Sequence, residues 1–126
     1  MRSLIAVSIV IIVIIGGWFL AYNYIDTHAT DLIQSLDHMT KNIESENWDS
    51  AVNEYLQIKK QWGEIRNRWA VMIHHHEIDN IDLAMARTRK YIEEKDKPLS
   101  LGEIEVLKQL FHIVKESEAV TLTNLL

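Results

Sequence analysis

Residues 4–25 form the longest stretch of the chain without a charged side chain, and they read LIAVSIVIIVIIGGWFLAYNYI. A helix of about 20 apolar residues is long enough to cross a hydrocarbon core about 30 Å thick. In lipid, such a helix also satisfies its backbone hydrogen bonds internally. All the acidic residues, and every basic residue except Arg2, come after this stretch. We therefore predict a transmembrane anchor at residues 1–25, in contact with the lipid bilayer through residues 4–25, and a separate domain at residues 26–126.

The aromatic residues of the apolar stretch cluster toward its carboxyl end. Trp18, Tyr22 and Tyr24 lie where amphipathic rings favour the headgroup level of a bilayer. The alternative is a cleaved signal peptide, but the apolar region of a signal peptide is normally only about 7–15 residues long. A cut after Ala21 would also need a small residue at the position of Phe19. We favour an uncleaved anchor.

Basic residues near the anchor predict its direction. Arg2 precedes the apolar stretch, whereas the first basic residue after it is Lys41. Flanking basic residues tend to stay in the cytoplasm. We therefore expect a single-pass membrane protein with its amino terminus inside and most of the chain outside the cytoplasm.

The domain that follows the anchor is acidic. Residues 26–126 contain 12 basic and 18 acidic side chains, which gives a formal charge of −6. Nucleic-acid binding requires a basic surface that neutralises phosphates. Disulfides and thiolate metal sites require cysteine, and the sequence contains none. These counts argue against nucleic acid as a partner and against a disulfide scaffold.

Apolar residues at helical spacing dominate the domain. Steps of three and four residues produce one stripe in each of four segments, as expected for helices that bury one face. The stripes are Ile25, Ala29, Leu32, Leu36, Met39 and Ile43; Ala51, Tyr55, Ile58, Trp62, Ile65, Trp69 and Met72; Ile78, Ile81, Met85, Thr88 and Ile92; and Leu101, Ile104, Leu107, Phe111, Val114, Glu118, Leu122 and Leu125. We predict an all-α fold in which the anchor continues into an antiparallel, up-down four-helix bundle.

The predicted helices cover about residues 26–45, 48–72, 77–96 and 100–125. Asn47 is the expected N-cap of the second helix. Pro98 is expected to end the third helix, and Ser100 with Glu103 forms a capping box for the fourth. Between the second and third stripes the helical phase slips near residues 74–77, where there is no Gly or Pro. The slip fits either a tight turn or a continuous helix with a stutter.

Three consecutive histidines stand beside two carboxylates in IHHHEID, residues 73–79. Helices that fold back about residue 46 and about Pro98 would place this turn at the membrane-proximal end of the bundle, with Trp69 at the headgroup level. The same geometry places Glu118, a lone carboxylate on an apolar stripe, level with Asp79. We therefore expect a polar cluster that consists of His74, His75, His76, Glu77, Asp79 and Glu118.

This cluster has four interpretations. These are a hydrogen-bonded network that sets helix register, a solvated turn without a special role, a metal site and a pH-sensitive switch. The candidate metal ligands are His75, His76, Asp79 and Glu118, but no HxxxH, HExxH or ExxH spacing occurs. We therefore assign no metal and no cofactor, and we favour the network that sets register.

Several segments together carry a resemblance to a known family. After the amino-terminal span, the segments NWDSA, QWGEIRNRWAVM, HHEIDNI and SLGEIEVLKQLFHIVKESEAVTLTNLL resemble a family of small bacterial proteins, mostly from Firmicutes, that is known only as a domain of unknown function. The resemblance covers nearly the whole chain. It implies a membrane-anchored helical protein of Gram-positive bacteria that works beside a larger membrane partner.

The sequence carries no nucleophile beside a base, no phosphate-binding loop and no paired-carboxylate cleft, so we do not expect an enzyme. We expect a non-catalytic accessory or scaffold protein that binds another membrane or envelope protein, and a homo-oligomer is left open. The alternative is an extracytoplasmic module that senses a ligand, a metal or pH through the histidine-rich turn.

Overall fold

The computed structural model describes the backbone of residues 1–125 and the side chains of residues 1–117. Its four helices are α1 at Arg2–Glu44, α2 at Trp48–Met72, α3 at His75–Glu93 and α4 at Lys97–Leu125. Helix α1 packs against α2 and α4, and α3 packs against the same two helices. Short connections make consecutive helices antiparallel. The all-α bundle predicted from the apolar stripes is confirmed.

Helix α1 extends well beyond the bundle. It is a single helix of 43 residues in which residues 2–20 are all exposed and the first buried residue is Ile25. In the described part of the chain it is the one helix long and apolar enough to cross a membrane, and none of its most apolar part is buried. No break separates this projecting part from the part that packs in the bundle.

The four apolar stripes meet in the interior of the bundle. From residue 25 to residue 114, every stripe residue is buried except Met72 and Leu101, which are half-buried. The bulkiest part of the core is the aromatic cluster of Trp62, Trp69 and Phe111, whose ring centroids lie 5.5 to 6.1 Å apart in edge-to-face orientations. Such contacts add stability beyond the burial of apolar area. The remaining positions of the fourth stripe, from Glu118 onward, have side chains outside the described residues.

The α1–α2 and α3–α4 turns close their helices in the same way. Glu46 and Lys95 adopt left-handed backbone conformations, with φ of 58° and 54°. In each turn, the next backbone N–H donates to the carbonyl five residues earlier, at 2.8 Å after Glu46 and 2.9 Å after Lys95. This is the Schellman arrangement, in which glycine is usual because a Cβ atom is strained at the left-handed position.

Helix α4 begins three residues earlier than predicted. Asp96 caps it, because the Asp96 Oδ1 atom accepts a hydrogen bond from the Leu99 N–H at 3.0 Å. Pro98 lies in the first turn of α4, where a helix needs no backbone donor from that residue. Ser100 is buried, and its hydroxyl has no hydrogen-bond partner among the described residues. The predicted capping box of Ser100 with Glu103 is therefore wrong.

The phase slip between the second and third stripes is a turn. Ile73 and His74 have extended backbone, with ψ of 164° and 142°. The Ile73 N–H donates to the Trp69 carbonyl at 2.8 Å and closes α2, while the His74 carbonyl accepts from the Glu77 N–H at 3.1 Å and opens α3. Two extended residues thus reverse the chain without Gly or Pro, and α3 starts two residues earlier than predicted.

Candidate functional site

The register between α1 and α2 determines where the histidine turn lies. The His38 Nδ1 atom lies 2.5 Å from Glu54 Oε1, and Arg68 donates to the Tyr24 hydroxyl at 3.3 Å. In both pairs the two residue numbers add up to 92, as expected for helices that fold back about residue 46. By the same register, His74 lies level with Trp18 of α1.

The register between α3 and α4 differs from the prediction. Arg87 Nε donates to Glu103 Oε1 at 2.7 Å, whereas a fold about Pro98 would place Arg87 opposite residue 109. The difference arises because Asp96 starts α4 earlier and moves the centre of the turn about three residues back along the chain.

This shift changes the neighbours of the histidine turn on α4. Asp79 lies level with Phe111 instead of Ser117. Glu118 follows Phe111 by about two helical turns, so the structure does not bring it level with Asp79. The side chain of Glu118 itself lies outside the described residues.

The histidines of the turn are in solvent. His74, His75, His76 and Asp79 are exposed, and Glu77 is half-buried. Considering only side chains that the structure describes, none of these five residues forms a side-chain hydrogen bond or an ion pair. Within the same limits, no group of three or more His, Asp or Glu residues is arranged to hold a metal ion. Among the described residues, the predicted cluster therefore forms no hydrogen-bonded network of side chains.

The aromatic residues predicted at a membrane interface divide into two groups. Trp69 is fully buried in the aromatic cluster, because its place on the apolar stripe of α2 directs the ring into the core and not toward a lipid surface. Its predicted height at the headgroup level stays a prediction. Trp18 is 37% exposed, and Tyr22 and Tyr24 are half-buried. Contact of these three with a bilayer stays a prediction.

Two cavities open beside the α2–α3 turn. One of ≈ 550 Å³ lies between the turn, α4 and Trp18, and it is bordered by His74 and Glu77. The other, of ≈ 420 Å³, lies between the projecting part of α1 and the end of α2. Trp18, Val71 and Met72 border both cavities. The turn therefore lies against the projecting part of α1.

A carboxylate that sequence reasoning missed joins α2 to α3. Trp62 Nε1 donates to Asp82 Oδ1 at 2.7 Å, and Arg66 Nε donates to Asp82 Oδ2 at 2.8 Å. The hydrogen bond from Arg66 to Asp82, together with the charge of Asp82, raises the pKa of Arg66. The signal for this contact was the pairing of α2 with α3 about residues 73 and 74, which places Asp82 opposite residue 65, within one helical turn of both Trp62 and Arg66.

A polar groove runs between α1 and α2 on the other side of the bundle. Glu54 lies at its edge. Its Oε2 atom accepts a hydrogen bond from Asn42 Nδ2 at 2.8 Å, and its Oε1 atom contacts His38. The groove encloses ≈ 510 Å³, and three glutamines, Gln34, Gln57 and Gln61, line it. It presents amide and carboxylate groups to solvent.

Comparison with known proteins identifies a family for this fold. The family described as "Domain of unknown function (DUF4363)" matches residues 19–125. The matched segment begins close to the point where α1 enters the bundle, and it includes all of α2, α3 and α4. No curated protein and no solved structure matches the chain. The chain belongs to the family of proteins that contain the DUF4363 domain of unknown function.

Proposed function

We propose that the protein is a non-catalytic accessory or scaffold, anchored in the cell membrane of a Gram-positive bacterium by the first part of α1, whose bundle binds another membrane or envelope protein. The observation that carries this proposal is the continuity of α1, a 43-residue helix that runs unbroken from an exposed apolar segment into the core. A flexible linker would let the bundle sample many heights and orientations. A continuous helix holds it at one height above the bilayer, which suits a protein that meets a partner in the same membrane.

The proposed topology places the bundle outside the cytoplasm. Arg2 precedes the projecting apolar segment, and no basic residue follows it until Lys41, so the positive-inside rule favours a cytoplasmic amino terminus. A reporter enzyme that is active only in the cytoplasm should be silent when it is fused to the carboxyl terminus. Activity of that fusion, at normal expression, would reverse the topology.

The outer surface of α4 is the face on which we place the partner. Leu99, Val106 and Ile113 recur at intervals of seven residues and are 50%, 41% and 43% exposed. Single exposed apolar residues are normal on a protein surface. A row at heptad spacing is instead the pattern by which one helix packs along another. The partner segment that fits this face is an apolar-faced helix of another envelope protein.

Site-specific photo-crosslinking in native membranes tests this proposal. A photoreactive amino acid at Val106 or at Ile113 should trap one recurrent protein. The control is the same amino acid at His112, which is also exposed but faces about 100° away from Ile113 on the helix. Adducts with a second copy of the chain would point to a homo-oligomer instead, and adducts with lipid alone would argue against the scaffold function.

A further inference from the structure

The α2–α3 turn is the apolar tip of the bundle. Between Arg68 and the histidines the chain reads WAVMI, with no charged residue. Trp69 is buried, but Val71 is 88% exposed, more than any other large apolar side chain in the described bundle. Met72 and Ile73 are half-buried. Together these three consecutive residues form an apolar surface, which is more favourable in an apolar environment than in water.

The tip lies beside the apolar part of α1. Arg68 contacts Tyr24, and Met72 lies one helical turn farther along α2, about 6 Å deeper along the axis of α1. The ≈ 420 Å³ cavity also places Val71 and Met72 level with the apolar part of α1, because they line it together with residues of α1 between Val13 and Ala21. All these residues of α1 belong to the uncharged stretch 4–25.

The length of the exposed part of α1 also indicates that Val71 and Met72 lie at the depth of the hydrocarbon core. The exposed residues 4–20 span about 25 Å at 1.5 Å per residue, which is short of a hydrocarbon core of about 30 Å. A bilayer that covers the whole uncharged stretch of α1 therefore also reaches Val71 and Met72.

We propose that residues 71–74 form a second membrane contact, in which Val71 and Met72 insert among the acyl chains of the leaflet next to the bundle and His74 lies at the headgroups. This inference rests on the proposed anchoring by α1. A single span leaves a bundle free to tilt about the point of exit. A second contact, on the α2 side of α1, limits that tilt and thereby fixes the direction in which the α4 face points.

Single-cysteine labelling of the full chain tests the contact, because the sequence contains no cysteine. Val71→Cys would carry an environment-sensitive fluorophore in nanodiscs of phosphatidylcholine and phosphatidylglycerol that contain a spin-labelled lipid as quencher. Two matched variants are Val10→Cys, in the middle of the apolar stretch, and Leu99→Cys, at the opposite end of the bundle. All three positions are exposed, so the labels do not disturb the core, and circular dichroism would verify the fold.

The expected result is quenching of the label at residue 71 that is several-fold stronger than quenching at residue 99. A quencher near the top of the acyl chain should act most strongly at residue 71, whereas a quencher near the chain end should act most strongly at residue 10. Quenching at residue 10 together with equal, weak quenching at residues 71 and 99 would overturn the second contact and leave the anchor intact. Absence of quenching at residue 10 would overturn the anchor and, with it, the second contact.

Discussion

Replacement of Asp82 by alanine is expected to destabilise the bundle, because this carboxylate is the only described acceptor for a nearly buried indole. Trp62 is 4% exposed, and its Nε1–H donates to Asp82 Oδ1 at 2.7 Å. Arg66 occupies the other carboxylate oxygen, with Nη2 2.7 Å from Oδ2. Asp82→Ala removes both interactions and leaves the indole N–H without a partner.

The magnitude follows from the burial of the two donors. A buried donor left without an acceptor costs about 1–3 kcal/mol. The Arg66–Asp82 pair is more than a third exposed on both sides, so solvent screening keeps its contribution small. Alanine returns about 0.5 kcal/mol because its helix propensity is higher than that of aspartate. The expected net loss in the free energy of unfolding is about 1–2 kcal/mol.

Asp82→Asn separates the two contributions. Its side-chain carbonyl still accepts from the indole, while the charge that pairs with Arg66 is lost, so it should cost clearly less than Asp82→Ala. Both variants would be compared by denaturant unfolding in detergent micelles, followed by circular dichroism. Asp31→Ala is the control, since Asp31 is an exposed mid-helix aspartate without a hydrogen bond or ion pair to any described side chain.

A double-mutant cycle makes the reasoning refutable. In a Trp62→Phe background the indole donor is absent, so Asp82→Ala should cost only the ion-pair contribution. If Asp82→Ala costs the same with and without Trp62, or if Asp82→Asn is as harmful as Asp82→Ala, the buried indole is not the group that needs Asp82.

Two further predictions concern the turns and use the same unfolding assay. Asp96→Ala should lower the free energy of unfolding by about 1 kcal/mol, because it removes the cap of α4. Ser100→Ala should not lower it, since the Ser100 hydroxyl has no partner among the described residues. A larger loss for Ser100→Ala than for Asp96→Ala would support the capping box instead. Lys95→Gly and Glu46→Gly should each raise it by up to about 1 kcal/mol, because glycine relieves the left-handed conformation. Glu94→Gly, one residue before Lys95 and right-handed, should lower it, and an equal effect at both positions would contradict the argument.

The apolar spacing of the sequence was enough to predict the helices and the register of α1 against α2. Residues such as Leu36 and Ile58 are buried because steps of three and four return side chains to one helix face. The His38–Glu54 contact agrees with a turn about residue 46. The start of α4 was missed because proline is compatible both with the first turn of a helix and with the segment before it. Which applies here depends on the hydrogen bond from Leu99 to Asp96.

The candidate site was predicted less well than the fold. The spacing around His75 showed that the stripes lose phase, but it carried no information about the direction of the turn's side chains. That direction follows from the extended backbone at Ile73 and His74, which turns the imidazoles toward solvent. Trp69 was placed at the headgroup level because α2 folds back about residue 46, an argument that gives the height of a residue but not the direction of its side chain. The contacts of Trp69 with Trp62 and Phe111 show that its ring faces the core.

The sequence by itself determined which residues are apolar, how they are spaced and where charge is absent. These local properties specify four amphipathic helices and one helix segment with an apolar surface all round. Tertiary structure alone decided which side chains meet. Asp82 accepts from the Trp62 indole, and Val71 lines a cavity with the projecting part of α1, whereas the histidines of the turn are exposed. These contacts depend on where each turn begins and on the rotation of each helix about its axis. Both result from packing and from single hydrogen bonds, which residue spacing does not encode.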